Sequence, residues 1–203
     1  FDAGGLSMTE TAGKLYIHTC HTMFASSDGY HHQANCTFVV KESNMKLADS
    51  YYDVMNLSEG YVSHSFAQQI ETDGKYIYRA DLGDAYPRGI ALTATKVGDQ
   101  VKDPSMYGTV IAIPGDTGYN YTGYTLNDLK LGTNNYILTG TGIKNEKTSV
   151  RNIYVNAGSK THLQTGAKWI TNYTAKDKIT VMNPKLVKLS GTQFLLLWEE
   201  KNT

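Results

Sequence analysis

The stretch Gly191-Thr192-Gln193-Phe194-Leu195-Leu196-Leu197-Trp198 decides the fold, because segments of the same kind occur earlier in the chain. Three earlier segments share its leading glycine and short apolar or aromatic run: Gly13-Lys14-Leu15-Tyr16-Ile17-His18, Gly74-Lys75-Tyr76-Ile77-Tyr78-Arg79 and Gly132-Thr133-Asn134-Asn135-Tyr136-Ile137-Leu138. The leading glycines are separated by 61, 58 and 59 residues. A turn glycine and an apolar run that recur at one spacing are typical of repeat architectures.

Each repeat can be divided into four short strands separated by turn residues. The predicted strands are 6–10, 14–21, 32–41 and 51–55 in the first repeat, 61–70, 75–81, 88–96 and 107–113 in the second, 121–131, 136–141, 151–156 and 168–172 in the third, and 181–189 and 193–199 in the fourth. No segment has sustained helical periodicity, although residues 43–48 are compatible with one helical turn.

The apolar runs favour a β-propeller over a β-sandwich. A strand with one solvated face alternates apolar and polar residues, whereas residues 194–198 and 136–138 do not alternate. Their sheets should therefore be covered on both faces, as are the four-stranded blades of a propeller. We predict an all-β fold, a β-propeller or part of one, built from four-stranded antiparallel blades with a repeat of about 60 residues. A β-sandwich with regular spacing is the alternative.

The repeats predict a single array rather than independent domains. Its blades are residues 1–57, 58–115 and 116–174, followed by a partial blade of residues 175–203. Because propellers typically have about four to eight blades, three and a half cannot close a ring. We therefore expect a fragment of a longer chain, with the missing blades supplied by the rest of that chain or by another subunit.

Two short patterns carry a resemblance to a known class. They are the Gly-Lys-x-Tyr-Ile run at the second strand and the Asp-x-Tyr sequence ahead of the third strand, as in Asp28-Gly29-Tyr30 and Asp84-Ala85-Tyr86. With them the chain resembles uncharacterised large-blade β-propeller repeats of secreted and cell-surface proteins. The resemblance implies an extracellular location. The chain has no WD dipeptide, kelch double glycine or sialidase-type Asp box, so no catalytic residue carries over.

Composition and charge exclude several classes of function. The formal net charge is zero, so no basic footprint indicates nucleic acid or an anionic membrane surface. No apolar run approaches the roughly 18 to 20 residues that a membrane-spanning helix needs. The 19 glycines, 15 tyrosines and only 4 prolines agree with a turn-rich, all-β protein. We expect no nucleic acid, no membrane insertion and no cofactor.

The two cysteines, Cys20 and Cys36, predict a disulfide. A hairpin that closes around Asp28-Gly29 places residues opposite each other when their numbers sum to about 56, as those of Cys20 and Cys36 do. Directly opposed Cβ atoms lie roughly 4.5 to 5.5 Å apart, which a disulfide can bridge after a small adjustment. The disulfide is expected only if the protein resides in an oxidising compartment. Two reduced cysteines packed in a core are the alternative.

Four Asn-x-Ser/Thr triplets suggest N-glycosylation. Asn56 and Asn172 are 116 residues apart, close to two repeats, and both follow a predicted fourth strand. Asn120 precedes a strand in a Gly/Asn/Tyr-rich loop, and Asn35 completes the set. These positions predict a secreted glycoprotein. The alternative is that asparagine is simply a common turn residue.

A histidine-rich hairpin holds His18, His21, Asp28, His31 and His32. Imidazole groups bind transition metals, so the hairpin is a candidate metal site. Residues three apart on a strand point to opposite faces, however, which separates His18 from His21. We therefore expect no metal site.

A basic side chain recurs at the start of the third strand of each repeat. His32, Arg88 and Arg151 occupy this position, and Tyr30 and Tyr86 lie two residues before His32 and Arg88. Aromatic rings cover sugar faces and guanidinium groups bind hydroxyls or carboxylates, so these residues are candidate ligand contacts. The alternative is architectural: an Asp-x-Tyr turn whose carboxylate satisfies turn amides and whose arginine bridges blades.

Three residues break the repeat and are the weak catalytic candidates: Asp84, Asp81 and His64. His64 begins a predicted innermost strand, which also makes it a candidate ligand contact, and the two aspartates can serve as a glycosidase carboxylate pair. Our favoured interpretation is a secreted or surface binding or structural module without enzymatic activity, whose ligand is carbohydrate or protein. The alternatives are a propeller glycoside hydrolase or polysaccharide lyase, and a structural subunit of a surface assembly.

Overall fold

The computed structural model describes residues 5–25, 27, 31–52, 61–62, 67–84, 88–115, 122–144 and 149–203, with only the backbone described at 21–25, 31–33, 51–52 and 61–62. These residues form fifteen β-strands and no helix. The prediction of an all-β fold is confirmed. Within the described part of the chain, no helix could span a membrane.

The first of two compact units spans Phe1–Thr122 and contains two antiparallel sheets. Each sheet has its strands side by side in chain order, and β5 additionally pairs with β3. The first sheet comprises β1 (Leu6–Thr11), β2 (Lys14–Ala25), β3 (His31–Lys41), β4 (Lys46–Tyr52) and β5 (Tyr61–Val62), and the second comprises β6 (Ala67–Thr72), β7 (Tyr76–Gly83), β8 (Gly89–Lys96) and β9 (Met106–Ala112).

The second unit spans Gly123–Thr203 and contains the other two sheets. The third sheet comprises β10 (Asp128–Leu131), β11 (Asn135–Ile143), β12 (Arg151–Ser159) and β13 (Lys168–Trp169), and the fourth comprises β14 (Ile179–Lys188) and β15 (Phe194–Asn202). All pairings are antiparallel. The predicted four-stranded units are therefore confirmed, and the fourth sheet has two described strands.

Several predicted strand boundaries were wrong, and the fourth strand of the first repeat, predicted at 51–55, is Lys46–Tyr52. Residues 43–48 do not form a helical turn, because a tight turn at 42–45 leads directly into β4. The first strand of the second repeat begins at Ala67, whereas Tyr61–Val62 pairs with β3 of the first sheet. The first strand of the third repeat begins at Asp128 rather than 121.

The repeated glycines serve turns and close backbone approaches. Ala12 and Gly13 have φ values of 53° and 68°, the left-handed pair that a two-residue hairpin between β1 and β2 requires. In the second unit the Thr133 amide donates to the Gly191 carbonyl at 2.7 Å. A Cβ atom on Gly132 would lie 2.5 Å from that carbonyl oxygen, so this approach excludes any larger residue.

The first unit is held together by an apolar cluster between its two sheets. Tyr16, Val39, Ile70 and Ile77 are buried there with Val101 from the β8–β9 connection. Every residue of β7 after Tyr76 is buried, so this non-alternating strand is covered on both faces. The same expectation was wrong for residues 194–198, because Leu195 and Leu197 are 44% and 51% exposed. Complete burial of a large apolar side chain contributes roughly 1.5–3 kcal/mol, so this cluster is a major source of stability for the unit.

Aromatic rings fill the space over β11 in the second unit. The ring centroids of Tyr124, Tyr154 and Trp169 lie 5.7–6.1 Å apart. The Tyr154 hydroxyl donates to the Thr125 carbonyl at 2.6 Å, and burial raises the pKa of this hydroxyl well above its usual value. A Cβ atom on Gly142 would lie 2.7 Å from the Tyr124 ring, so glycine makes room for the rings.

Candidate functional site

A buried polar network joins the first and second sheets next to the apolar cluster. His18 Nε2 lies 2.8 Å from Asp81 Oδ1, and both side chains are almost inaccessible to solvent. The other ring nitrogen, Nδ1, lies 3.1 Å from the Cys36 carbonyl oxygen and 3.0 Å from the Thr37 hydroxyl. Three strands, β2, β3 and β7, therefore meet at one imidazole.

Arg79 brings a permanent positive charge into the same network. Its Nη1 donates to Thr37 Oγ1 at 3.0 Å, and its Nη2 donates to Thr95 Oγ1 at 3.0 Å and to the Val101 carbonyl at 3.2 Å. Asp81 lies two residues further along β7, on the same face of the strand. Because a buried charge is tolerated only with partners, these contacts fix where the two sheets meet.

Beyond this network, the first unit has a polar end, which we define as Asn35, Gln68, Asp81 and Asp84. At this end β2 and β7 finish, and β3, β6 and β8 begin. Gln68 lies opposite Asp81 in the β6–β7 ladder, Asn35 lies opposite Cys20, and Asp84 directly follows β7. All four side chains are buried, and Asp84 has no exposed surface.

Two amides of the polar end have no hydrogen-bond partner in the described structure. Asn35 and Gln68 are 0% and 1% exposed, and neither the oxygen nor the nitrogen of either amide is bonded. Leaving a buried polar group without a partner costs about 1–3 kcal/mol. The apolar cluster thus lies at one end of the space between the two sheets, and the two amides without a partner, Asn35 and Gln68, lie at the other.

The structure places two of the three catalytic candidates at the polar end. Asp81 is engaged by His18, and Asp84 is buried immediately after β7. His64 lies outside the described residues. Sequence reasoning missed the His18 and Arg79 contacts, although a charged residue inside the non-alternating run 76–82 was a signal for them.

The described arginines among the ligand-binding candidates make contacts close to their own strands. Arg88 Nε donates to the Pro114 carbonyl at 2.9 Å, which ties the start of β8 to the chain that follows β9. Arg151 Nη1 donates to Thr141 Oγ1 at 3.0 Å, across the β11–β12 hairpin. Both contacts lie within a single blade, so they do not show the blade-bridging role of the architectural alternative, and both roles stay predictions. Only the backbone of His32 is described, and Tyr30, Tyr86 and His64 lie outside the described residues.

The predicted disulfide is absent, because the hairpin register differs from prediction by one residue. Cys20 lies opposite Asn35 and Cys36 lies opposite Thr19, so the numbers of paired residues sum to 55 rather than 56. The two thiols therefore point to opposite faces of the sheet. A register shift between Thr22 and Phe24 produces the difference. Both cysteines are buried and not bonded to each other.

The remaining predicted features have different outcomes. His18 belongs to the polar network, His21 is described by its backbone only, and Asp28 lies outside the described part. Among the residues whose side chains are described, no group of three or more His, Cys, Asp or Glu could hold a metal ion.

Asn35 does not fit a glycan acceptor, because its side chain is buried within β3. Asn172 is exposed after β13 and stays a prediction, and Asn56 and Asn120 lie outside the described residues.

The second unit contains a shallow cleft of about 480 Å³ beside β12 and β13. Asn156 is buried at its base and donates to the carbonyl oxygens of Gln164 and Gly166 at 3.0 and 2.8 Å. Lys168 and Thr165 line it as well. The Asn156 amide nitrogen is therefore occupied by two carbonyl oxygens of the cleft lining.

No protein-family model and no curated protein matches this sequence. Solved structures do match. An α-L-arabinanase of Cellvibrio cellulosa matches with a TM-score of 0.54 and 12% identity over 97% of this chain and 68% of its own. An α-L-arabinanase of Penicillium chrysogenum, solved with arabinobiose, matches with a TM-score of 0.60 and 10% identity over 98% of this chain and 57% of its own. An α-L-arabinofuranosidase of Fusarium graminearum, solved with an iminosugar inhibitor, matches with a TM-score of 0.60 and 11% identity over 98% and 56%.

These matches establish the fold and correct the functional expectation. The similar structures are β-propeller glycoside hydrolases, so the sheets of this chain are propeller blades, as predicted. The chain spans little more than half the length of two of them. Our favoured interpretation, a binding or structural module, was wrong, because the similar structures are glycoside hydrolases and favour the alternative.

Proposed function

We propose that this chain forms the larger part of an extracellular β-propeller glycoside hydrolase that cleaves α-L-arabinofuranosyl linkages in arabinan-type polysaccharides. The observation that carries the proposal is the match of 97–98% of the chain to two arabinanases and an arabinofuranosidase. The extracellular location follows from the substrate, since polysaccharides of this size are met outside the cell.

The polar end of the first unit supports a site of this kind. Hydrolysis of a glycosidic bond normally needs two carboxyl groups, one that protonates the leaving oxygen and one that acts as base or nucleophile. Asp84 is our candidate for one of them, because it follows β7 at the end of the blade that carries the buried polar groups. Asp81 is a positioning residue in this proposal, since His18 already holds its carboxylate inside the blade interface.

The substrate class can be tested with the complete propeller that contains this chain. Aryl α-L-arabinofuranoside, aryl β-D-xyloside, linear arabinan and cellulose would be incubated with it, and released aryl alcohol or reducing sugar would be measured. We expect turnover of the arabinofuranosyl substrates and none of cellulose. A folded complete propeller that hydrolyses neither arabinofuranosyl substrate would contradict the proposal.

A further inference from the structure

Three lysines form a row across the first sheet, at the end where the turn between β1 and β2 lies. Lys14 lies opposite Lys41 in the β2–β3 ladder, and Lys41 lies opposite Lys46 in the β3–β4 ladder. Residues opposed in a ladder share one face of the sheet, and we call these three the lysine row. Lys41 and Lys46 are exposed and Lys14 is half-buried. Like charges directly opposite each other destabilise a sheet unless an anion lies between them.

No described residue neutralises the lysine row. None of the three ammonium groups forms an ion pair or a hydrogen bond within the described part of the chain. Asp49 lies opposite Val39 and so on the same face, one row further along the sheet. Its carboxylate is already occupied, because it accepts from the backbone amides of Ser50 and Val101 at 2.9 and 3.0 Å. The positive charge of the row is therefore available to a ligand.

Acidic side chains at this end of the sheet are engaged elsewhere. Glu10 lies opposite Leu15, the neighbour of Lys14, so it belongs to the other face. Desolvation raises the pKa of Glu42, and the charge of Glu10 and a hydrogen bond with it raise that pKa further. The two glutamates thus interact with each other rather than with the row. Positive charge is concentrated on one face here, although the formal net charge of the chain is zero.

The lysine row lies apart from the polar end. Lys14 and Tyr16 are alternate residues of β2 and share a face, so the row borders the apolar cluster between the first two sheets. Asn35 of the polar end lies opposite Cys20, in the other direction along β2. A ligand on the row therefore leaves the polar end open.

We propose that the lysine row binds a polysaccharide that carries carboxylate groups, a polymer of uronic acids. The choice of a polysaccharide rests on the proposed function. Adjacent strands lie about 4.8 Å apart, so the three Cα atoms span about 10 Å. A polyuronate has one carboxylate on each sugar, so one chain laid across the strands brings carboxylates to all three ammonium groups. Lysine ammonium groups are point charges on flexible stems, which suits contacts spread along a polymer.

Calorimetric titration with polygalacturonate tests the proposal, with the complete propeller that contains this chain and with neutral linear arabinan as the comparison ligand. We expect polygalacturonate to bind at about 20 mM NaCl and to be released at about 500 mM, because salt screens exposed charges. Lys41→Gln/Lys46→Gln should bind roughly tenfold more weakly. Lys41→Arg/Lys46→Arg keeps both charges and should bind like the unsubstituted protein. The matched control is Lys168→Gln/Lys176→Gln, at two exposed lysines of the second unit, which should keep full affinity.

The variants separate binding from folding. Lys41→Gln/Lys46→Gln removes repulsion between like charges, so its melting temperature should be equal or higher. Equal affinity of the two glutamine variants for polygalacturonate would overturn the proposal. Binding of poly-L-glutamate without binding of polygalacturonate would overturn the choice of a polysaccharide. A propeller that binds polygalacturonate through the row but cleaves no arabinofuranosyl substrate would refute the proposed function and leave this inference intact.

Discussion

His18 Nε2 lies 2.8 Å from Asp81 Oδ1, so one buried hydrogen bond connects β2 of the first sheet with β7 of the second. Because the carboxylate can only accept, Nε2 carries the proton of this bond. Nδ1 then accepts from the Thr37 hydroxyl in the neutral ring, or donates to the Cys36 carbonyl in the charged ring. Both arrangements hold the same three strands together, which makes this contact the centre of the blade interface.

Loss of the imidazole should weaken the first unit. His18→Ala leaves Asp81 Oδ1 and the Thr37 hydroxyl without this partner, and each buried group left unsatisfied costs about 1–3 kcal/mol. The urea concentration at the midpoint of unfolding should therefore be lower for His18→Ala than for the unsubstituted protein. His162→Ala, at an exposed residue of the second unit, is the control and should change stability by less than about 0.5 kcal/mol. Equal midpoints for the two variants would refute the role of His18.

Replacement of Arg79 should show that geometry matters as well as charge. Arg79→Lys keeps the charge but cannot reach Thr37, Thr95 and the Val101 carbonyl together. We expect Arg79→Lys to be destabilised nearly as much as Arg79→Ala, for which removal of one partner from a buried charge network predicts about 3–5 kcal/mol. Calorimetric melting temperatures of both variants measure this. A lysine variant as stable as the unsubstituted protein would show that charge alone suffices.

The side-chain amide of Gln68 has no hydrogen-bond partner in the described structure. Its replacement should therefore not lower the free energy of unfolding, in contrast to replacement of His18 or Arg79. Gln68→Met removes a buried amide that makes no hydrogen bond and keeps nearly the same volume, so stability should stay equal or rise. Gln193→Met, at an exposed turn residue, is the control for the added apolar surface. A fall of more than about 1 kcal/mol in the free energy of unfolding for Gln68→Met would mean that the amide has a structural partner.

Stability should fall at alkaline pH because of buried tyrosines. Burial raises the pKa values of Tyr78 and Tyr154, with Asp73 adding to the effect at Tyr78. A phenol whose pKa is higher in the folded state contributes stability that is fully present below its unfolded pKa of about 10 and is lost as the pH rises above it. Urea midpoints should therefore be steady from pH 7 to 9 and decrease from pH 10 upwards, and a flat profile to pH 11 would contradict this account.

Much of the fold could be predicted from the sequence, because apolar strands and turn glycines are encoded locally. Most strands lie close to the predicted ranges, although β4, β6 and β10 begin five to seven residues from their predicted starts. The cysteine register was not predictable, since the shift between Thr22 and Phe24 moves every earlier pair by one residue. Such a bulge depends on packing that has no local signature.

The polar network could not be read from the sequence for a related reason. Aligning the repeat glycines makes His18 and Arg79 equivalent, whereas the structure has both on facing sides of neighbouring sheets, in contact with Thr37. The turns differ in length, with two residues between β1 and β2 and three between β6 and β7, so the glycines do not mark equivalent faces. Polar side chains within strands also resemble solvent-facing positions until the covering sheet is known.

Release of arabinose from arabinan by the complete propeller that contains this chain, unsubstituted and as Asp84→Asn, tests the central claim most directly. The asparagine variant keeps the size of the buried side chain and removes the carboxyl group. We therefore expect the unsubstituted protein to release arabinose and the variant to be at least about 100-fold less active. Asp103→Asn, at an exposed residue of the β8–β9 connection, is the matched control and should keep full activity. Equal activity of Asp84→Asn and Asp103→Asn, with both folded, would contradict the assignment of Asp84, and no activity in the unsubstituted complete propeller would contradict the hydrolase itself.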